Sequence, residues 1–355
     1  MQIHATNILG LGASQVVKSF LDSASNMGKL NSLKIYLPLK GPLSSYKPAT
    51  GSVIRYKRIF PNGFSRFFEC FFSKFIFPNV PTIVLGDIPL RGIRDQIVLV
   101  HQPNLIYPRI NRYSGKSLNF RISRFLFSIN HKFAKKIIVQ TGAMATNLIL
   151  SYPKIKDKVT VCPQPVPNWL DKKNGDMNVV NDKKKKILFY PAAFYTHKKH
   201  DFLLKINDYC ESNNIELNDV EVWLTLFDEE FKPFESIKWI KNLGRLNAEE
   251  MNTYYNKADA LLFLSCAESY GLPLIEAITL NLPVLTVDLP YSRWICENEG
   301  YYYRPYSEAS FLMSLKKLLN DLKLNMKPDY SKTITKFPDS WDEVVKVFFK
   351  SIKNY

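Results

Sequence analysis

Two α/β domains, each built on a parallel sheet, are the architecture this sequence predicts, and three observations predict it. The chain has 355 residues, more than one hydrophobic core usually serves. Short apolar runs alternate with helical patterns from end to end, the grammar of parallel strands joined by crossover helices. Midway, Pro163, Pro165 and Pro167 make a stiff connector between two halves that repeat this grammar. The expected division is residues 1–165 and 166–339, with the hinge near 163–182 and the last helix, 340–355, packing back onto the first domain. A deep cleft between two such domains is a natural place for a ligand.

Composition narrows the class. Hydrophobic residues make up 46% and charged residues 23%, which excludes a disordered chain. Cys70, Cys162, Cys210, Cys266 and Cys296 are scattered and never paired as Cys-x-x-Cys, so neither a disulfide framework nor a zinc site is expected, and a reducing cytoplasm fits. The first residues, MQIHATNILG, lack a charged region followed by an apolar core, and no apolar run reaches the roughly 18 residues that span a bilayer. A net charge of +16 nevertheless calls for an anionic partner: nucleic acid, an acidic membrane surface or a phosphorylated substrate.

Residues 3–9, IHATNIL, read as a buried first strand, and GLGAS as the turn into a helix, QVVKSFLDSA. Gly10 and Gly12 either allow a tight turn and close approach of a ligand or make a plain strand-to-helix turn; the G-x-G-x-x-G spacing of a dinucleotide site is absent. Strands follow at 33–37 and 52–59. Next comes RIFPNGFSRFFECFFSKFIF, a helix with Arg66 and Lys74 among Phe67, Phe68, Phe71, Phe72 and Phe75. Such a helix suits either the interfacial zone of a membrane or burial nearly all round as a crossover. After strands at 82–85 and 96–100, His101 falls at the strand end where open α/β sheets bind ligands.

From Arg109 to Lys136 the chain is strongly basic, with Arg112, Lys116 and Lys135 among its cations. Within it Ile122, Phe125, Leu126, Ile129 and Phe133 recur at helical spacing and leave Arg121, Arg124 and Lys132 for other faces. Two basic, aromatic-laced helices in one half point toward an anionic membrane surface. A strand at 137–139, a helix capped by Thr141 and a strand at 159–162 complete this half.

A lysine run, 183–186, precedes the strand at 187–190, which leads through PAAFYTHKKHD into the helix DFLLKINDYC; a strand at 220–226 follows. LGRLNAEEMNTYYNKA carries a capping box, Asn247 with Glu250, at the start of a helix. The stretch ADALLFLSCAESYGLPLIEAITLNLPVLTVDL gives a strand at 260–264, a tight turn, and a helix from about Leu272 with Pro273 in its first turn. A strand at 284–287, a segment at 291–296, and helices at 307–319 and 341–351 end the chain, the last with Val344, Val345, Phe348 and Phe349 inward.

Glu268 and Glu276, with seven residues between them, flank that tight turn. The N–H groups and positive dipole of a helix start suit a phosphate, so carboxylates beside it more readily accept hydrogen bonds from neutral hydroxyls, such as those of a sugar. Lys198 and Lys199, after the strand at 187–190, add cations to a site that fits a nucleotide. The alternative is a solvent-facing Glu276 and a loop carboxylate, Glu268, favoured by the dipole alone. No Asp-x-Asp, metal motif, P-loop or Gly-x-Ser-x-Gly elbow occurs, which removes most ATPases and hydrolases. Nor does a recognition-helix or RNA-binding aromatic motif favour a nucleic-acid partner.

ESYGLPLIEAITLNLPVLTVDLP resembles the Glu-x7-Glu signature of retaining glycosyltransferases of the GT-B fold, family four of that class, in its bacterial surface-polysaccharide subgroup. The likeness continues in LGRLNAEEMNTYYNKADALLFLSCAES, YPAAFYTHKKHDFLL, VLVHQPN, IIVQTGAM and the N-terminal glycine turn, and so covers nearly the whole chain. It implies two Rossmann-like domains and a sugar-nucleotide donor. Glu276 would bind the ribose hydroxyls, Glu268 hydroxyls of the transferred sugar, and the backbone of Tyr270, Gly271, Leu272 and Leu274 sugar and phosphate. Lys198 matches the lysine that neutralises the departing diphosphate, His101 a histidine near the reacting sugar, and Gly12 the turn facing the phosphates, while Arg245 and Leu246 would lie near the base. An arginine common five residues before that lysine is here Ala193, so Lys199 or Arg245 would share the diphosphate charge, or Lys198 and the helix dipole carry it.

The resemblance thus implies retaining glycosyl transfer to a lipid-linked glycan acceptor, for lipopolysaccharide O-antigen or capsule, at the inner face of the cytoplasmic membrane. No cofactor, metal or nucleic acid is expected, and no carboxylate acts as a covalent nucleophile. The rival readings are a non-catalytic binding protein on the same fold and a sugar-nucleotide epimerase.

Overall fold

The computed structural model describes residues 1–57, 62–106, 117–167, 169–170 and 185–353. Contacts divide the chain into two units, residues 1–165 with 338–355, and residues 166–337. Arg109, Arg112 and Lys116, Lys183 and Lys184, and most of the expected hinge lie outside the described residues.

The first unit holds β1 (Gln2–His4), β2 (Lys34–Pro38), β3 (Ser52–Tyr56), β4 (Thr82–Val84), β5 (Gln96–Val100), β6 (Ala134–Val139) and β7 (Val159–Val161). They form one sheet in the order β3-β2-β1-β4-β5-β6-β7, every pair parallel. The second unit holds β8 (Lys186–Tyr190), β9 (Val220–Leu224), β10 (Ile240–Asn242), β11 (Ala260–Phe263), β12 (Val284–Val287) and β13 (Tyr301–Tyr303). Their order is β10-β9-β8-β11-β12-β13, again all parallel. Alternation of strand and helix in the sequence predicts this architecture. In each sheet the order reverses once, between β1 and β4 and between β8 and β11, and such switch points open a crevice at the strands' C-terminal ends.

Strand residues feed both faces of each sheet. In the first unit Ile3, Ile35, Ile83, Ile97, Leu99 and Ile138 enter one core, and Val84, Val98, Val100, Ile137 and Val139 the other. The terminal helix Trp341–Lys353 lies on the first of these cores through Val344, Val345, Phe348, Phe349 and Ile352. Phe348 meets Phe20 edge-on at 5.0 Å, and Asp342 accepts a 2.6 Å hydrogen bond from Ser23. Each such fully buried side chain is worth about 1.5–3 kcal/mol.

Several expected elements shift. The first strand stops at His4, because Thr6 and Asn7 turn their side chains to Glu69 and to the Gly86 carbonyl. The helix then starts at Leu11, so Gly12 lies in its first turn. The aromatic helix is two pieces, Asn62–Phe71 and Ser73–Ile76. At the break Ser73 Oγ donates to the carbonyls of Glu69 and Cys70, and Asn130 and Arg91 also donate to Cys70, diverting the carbonyls that would continue the ladder. Helix Leu118–Asn130 is rotated from the expected phase: Arg124, Leu126, Phe127 and Asn130 face in and Phe125 faces out. Arg124 donates to the Asn104 carbonyl at 2.9 Å, which offsets its burial. Strands β10 and β13, three residues each, carry too short a pattern to be read from sequence.

Candidate functional site

The second unit's site is built at the C-terminal ends of β8 and β11, beside that sheet's switch point. After β11 the chain runs through Ser265–Tyr270 into helix Leu272–Thr279. Gly271, at the helix N-cap, has φ +73°, which disfavours side chains, and a Cβ there would meet Leu274 Cδ1 at 3.3 Å. Pro273 in the first turn has no N–H, and the Leu274 amide already donates to the Gly271 carbonyl at 2.9 Å. Leu274 is fully buried in the core, so it offers a ligand neither amide nor side chain. Among the described residues the amides of Gly271 and Leu272 have no partner, and these are the donors the helix start presents. Tyr270 is buried with its ring edge-on to Phe337.

Loop 191–200 follows β8. A short turn, Thr196–Lys198, ends in Lys199, held at φ +58°. Two hydrogen bonds tie the β8 and β11 loops together, from Cys266 N to the His197 carbonyl at 2.8 Å and from Ser265 Oγ to the same oxygen at 3.3 Å. Tyr190 donates from below to the Lys198 carbonyl. The result sets Lys198 Nζ 2.5 Å from Glu268 Oε1, both side chains nearly buried, with the ammonium 5.2 Å from the Phe263 ring centre.

Glu276 is buried, 6% exposed, one turn into the helix. Its Oε2 accepts a 2.6 Å hydrogen bond from the hydroxyl of fully buried Tyr255. Burial pushes its carboxyl up to about 7, against the smaller pull of Tyr255 and of the Lys198 charge. The solvent-facing reading of Glu276 is thereby overturned: its helix packs into the core on both sides, Leu274 to Thr279 all being buried. Nearby His200 lies between Tyr190 and Phe194, at 4.8 and 5.3 Å, and burial holds its imidazole down to about 3.

The residues that the resemblance would set near a base come from the loop before helix Ala248–Lys257, whose start Asn247 and Glu250 cap reciprocally. Arg245 pairs with Glu230 at 3.1 Å and stacks over Phe227 at 4.2 Å. Leu246 packs partly buried on the core. Lys199 faces Asp201 at 3.8 Å and the Tyr306 ring at 5.4 Å. Of the three candidate cations, Lys198 is the one directed at a motif glutamate.

In the first unit His101 lies just past β5, at the C-terminal edge of that sheet. Sequence reading missed its partner, Asp87, a non-glycine residue at φ +69° whose carboxylate accepts from the amides of His101 and Gln102 at 2.8 and 2.9 Å and faces His101 Nε2 at 3.5 Å. Gly10 and Gly12 take no positive φ, and a Cβ on either would meet nothing within 4 Å. The local fold therefore does not require glycine at 10 or 12. Tyr255 was missed as well: it reads as one more apolar position of a helix, and its link to Glu276 crosses 21 residues. Among the described residues no group of three His, Cys, Asp or Glu could hold a metal ion.

Comparison with known proteins gives a family match within the second unit and wider matches beyond it. A family described as "Glycosyl transferases group 1" matches residues 172–333. O-antigen chain mannosyltransferase RfbU of Salmonella typhimurium is 24% identical over 243 residues, 65% of this chain and 62% of that protein. Serotype-specific mannosyltransferase WbdA of Escherichia coli is 30% identical over 90 residues, 25% of this chain and 11% of that protein. The chain thus spans less than two thirds of the length of either relative. Among solved structures, WaaG, a glycosyltransferase involved in lipopolysaccharide biosynthesis, superposes with a TM-score of 0.72 at 13% identity, over 98% of this chain and 99% of that one. Anabaena HepE in complex with UDP and glucose gives 0.62 at 13% identity, over 99% and 95%. At these identities the superpositions show the fold, which is GT-B.

Proposed function

We propose that this chain, which carries a glycosyl transferases group 1 domain over residues 172–333 on a GT-B fold, transfers a sugar from a nucleotide diphosphate to a glycan hydroxyl with retention at the anomeric carbon. The observation that carries the reading is the grouping at one helix start of Lys198 with Glu268, the unpartnered amides of Gly271 and Leu272, and buried Glu276. A diphosphate meets the amides and the ammonium, which are fixed before it arrives and stabilise the charge that grows on it as it leaves. Glu268 stays an acceptor for sugar hydroxyls, and Glu276 for the ribose.

In the reaction the bond from the anomeric carbon to the phosphate oxygen breaks, a bond to the acceptor oxygen forms on the same face, and the acceptor proton passes to the departing phosphate. No covalent glycosyl enzyme and no divalent cation are required in this scheme; trapping a sugar on Glu268, or total loss of activity with chelator, would overturn those parts. RfbU and WbdA are both named mannosyltransferases, so a mannosyl donor is the first to test. The first unit is the acceptor side, with His101 on its sheet edge.

A lipid-linked acceptor and an anionic membrane, taken to be the inner face of the cytoplasmic membrane, fit the surface of that unit. Phe68, Phe75 and Ile76 are exposed on its two short helices and Phe72 at the break between them, as are Leu118 and Phe125 on a third helix, with Lys74 and Arg121 among them. This leaves part of the aromatic segment outward, whereas Arg66 is buried and serves the fold. Among the described residues no helix is long and apolar enough to cross a membrane. Flotation with anionic and neutral vesicles tests this part, and equal or absent binding counts against it.

For the donor, a thermal-shift panel of UDP-, GDP-, ADP- and CDP-sugars on the wild type and on Glu276→Ala is the test. One nucleotide family should stabilise the wild type and lose most of its effect on the variant; an unchanged shift would discredit the ribose assignment.

A further inference from the structure

We infer that Tyr255 is a positioning residue for the donor nucleotide: it anchors one oxygen of Glu276 so that the other is held ready for the ribose hydroxyls. The inference rests on the proposed donor site and adds a residue to it.

Geometry carries it. Tyr255 is 1% exposed, with its ring edge-on to Phe189 at 5.0 Å and near Trp169 at 6.5 Å, so the phenol has no freedom to follow a moving partner. Its hydroxyl lies 2.6 Å from Glu276 Oε2. Among the described residues this is the one hydrogen bond to the Glu276 carboxylate, and no cation pairs with it. A buried carboxylate with a single neutral donor keeps an acceptor oxygen in hand, whereas one saturated by cations does not. Fixing the rotamer beforehand also spares the ligand the ordering of a flexible side chain.

The chain connection adds to this. Tyr255 sits on helix Ala248–Lys257, which the Asn247–Glu250 capping box fixes in place immediately after Arg245 and Leu246. The same helix therefore sets the loop assigned to the base and, two turns on, the tyrosine that aims the glutamate. Its effect should fall on the nucleoside rather than on the sugar.

The test compares UDP and GDP with their 2′,3′-dideoxy counterparts, by calorimetric titration, on wild type, Tyr255→Phe and Glu276→Gln. Phe keeps the ring contacts and removes the hydroxyl alone. Tyr255→Phe should weaken the ribonucleotide that binds wild type by about 10-fold and leave the dideoxy form within 2-fold, since a single hydrogen bond is at stake. In steady state, KM for the donor should rise with kcat nearly unchanged. Glu276→Gln, which keeps an acceptor for Tyr255, should show the same ribose-selective loss, so the assay still reports should the tyrosine variant not fold. Equal loss for ribo and dideoxy ligands would mean that Tyr255 is merely structural and overturn the inference, as would unchanged ribonucleotide binding. Failure of the donor-site reading looks different: neither UDP nor GDP would bind the wild type.

Discussion

Two buried glutamates, one in each unit, have opposite fates. Glu69 is 0% exposed and Glu276 6%, so burial drives both toward the neutral acid. At Glu69 that drive is outweighed by the hydrogen bond from His4 at 2.9 Å, the charge of Arg66 at 3.5 Å and the hydroxyl of Thr6, and its carboxyl falls to about 2. At Glu276 one tyrosine and a more remote Lys198 do not suffice, and its carboxyl rises to about 7. The first acid is held charged by the protein's own donors, gathered on its Oε1, and serves the fold. The second is under-partnered in a way that costs folding energy, and such an arrangement is expected where a ligand completes it.

Substitutions at the two sites should therefore move stability in opposite directions. The largest effect is expected for Glu69→Ala, which strands Arg66 and His4 in the core of the first unit; about 3–5 kcal/mol should be lost, read from denaturant midpoints. A loss under 1 kcal/mol would mean that the network contributes little. Next, Glu276→Gln should raise stability by up to ~3 kcal/mol at pH 8, from a shift of about 4.5 to about 7, while weakening nucleotide binding.

The pH windows follow from the same shifts. Glu276 has a raised folded value, so its contribution is fully present below about 4.5 and is lost as pH rises through about 7; the gain from Gln should shrink toward zero by pH 4.5. Glu69 has a depressed value, so its stabilisation of ~3 kcal/mol is present above about 4.5 and is lost as pH falls toward 2. Thermal unfolding at pH 3, 4.5 and 8 separates the two. A gain from Glu276→Gln that is equal at pH 4.5 and 8 would sink the charge explanation.

Smaller still is the coupling to Lys198. Its charge lowers the Glu276 carboxyl, so in Lys198→Ala the pH 8 gain from Glu276→Gln should grow by several tenths of a kcal/mol, while kcat of that background falls about 100-fold or more through loss of diphosphate stabilisation. Thr6→Val, which removes the neutral donor to Glu69, should cost about 1 kcal/mol. Were it to cost as much as Glu69→Ala, the depressed carboxyl of Glu69 would rest on the hydroxyl and not on the charges.

The two sites also differ in how far they can be read from residues alone. The turn between Glu268 and Glu276 is local: a strand, a glycine at positive φ and a helix begun with proline lie within a few residues, so spacing and turn chemistry suffice. The cluster around Glu69 joins residues 63 and 65 apart, at His4, Thr6 and Glu69, and no periodicity links them. The segment around Arg66 reads equally as interfacial or as a buried crossover, because an arginine among phenylalanines gives the same pattern in a core as at a membrane, and the fold buries Arg66. Helix Leu118–Asn130 shows the same limit: Ile122, Phe125 and Ile129 make one apolar stripe in the sequence, yet Ile122 and Ile129 pack on the core while Phe125 faces out and Arg124 in, which only the neighbouring elements decide.

What the sequence by itself determined is the alternation that makes two parallel sheets, the caps at Thr141 and Asn247, and the glutamate pair at a helix start, because these depend on residues within a turn or two of each other. Only tertiary structure decided how each charge is met: Lys198 on Glu268, Asp87 on His101, Tyr255 on Glu276, Arg66 and His4 on Glu69. The physical reason is range. A backbone turn is set by neighbours, whereas the state of a buried charge depends on whatever the fold brings within a few ångströms of it, from any distance along the chain.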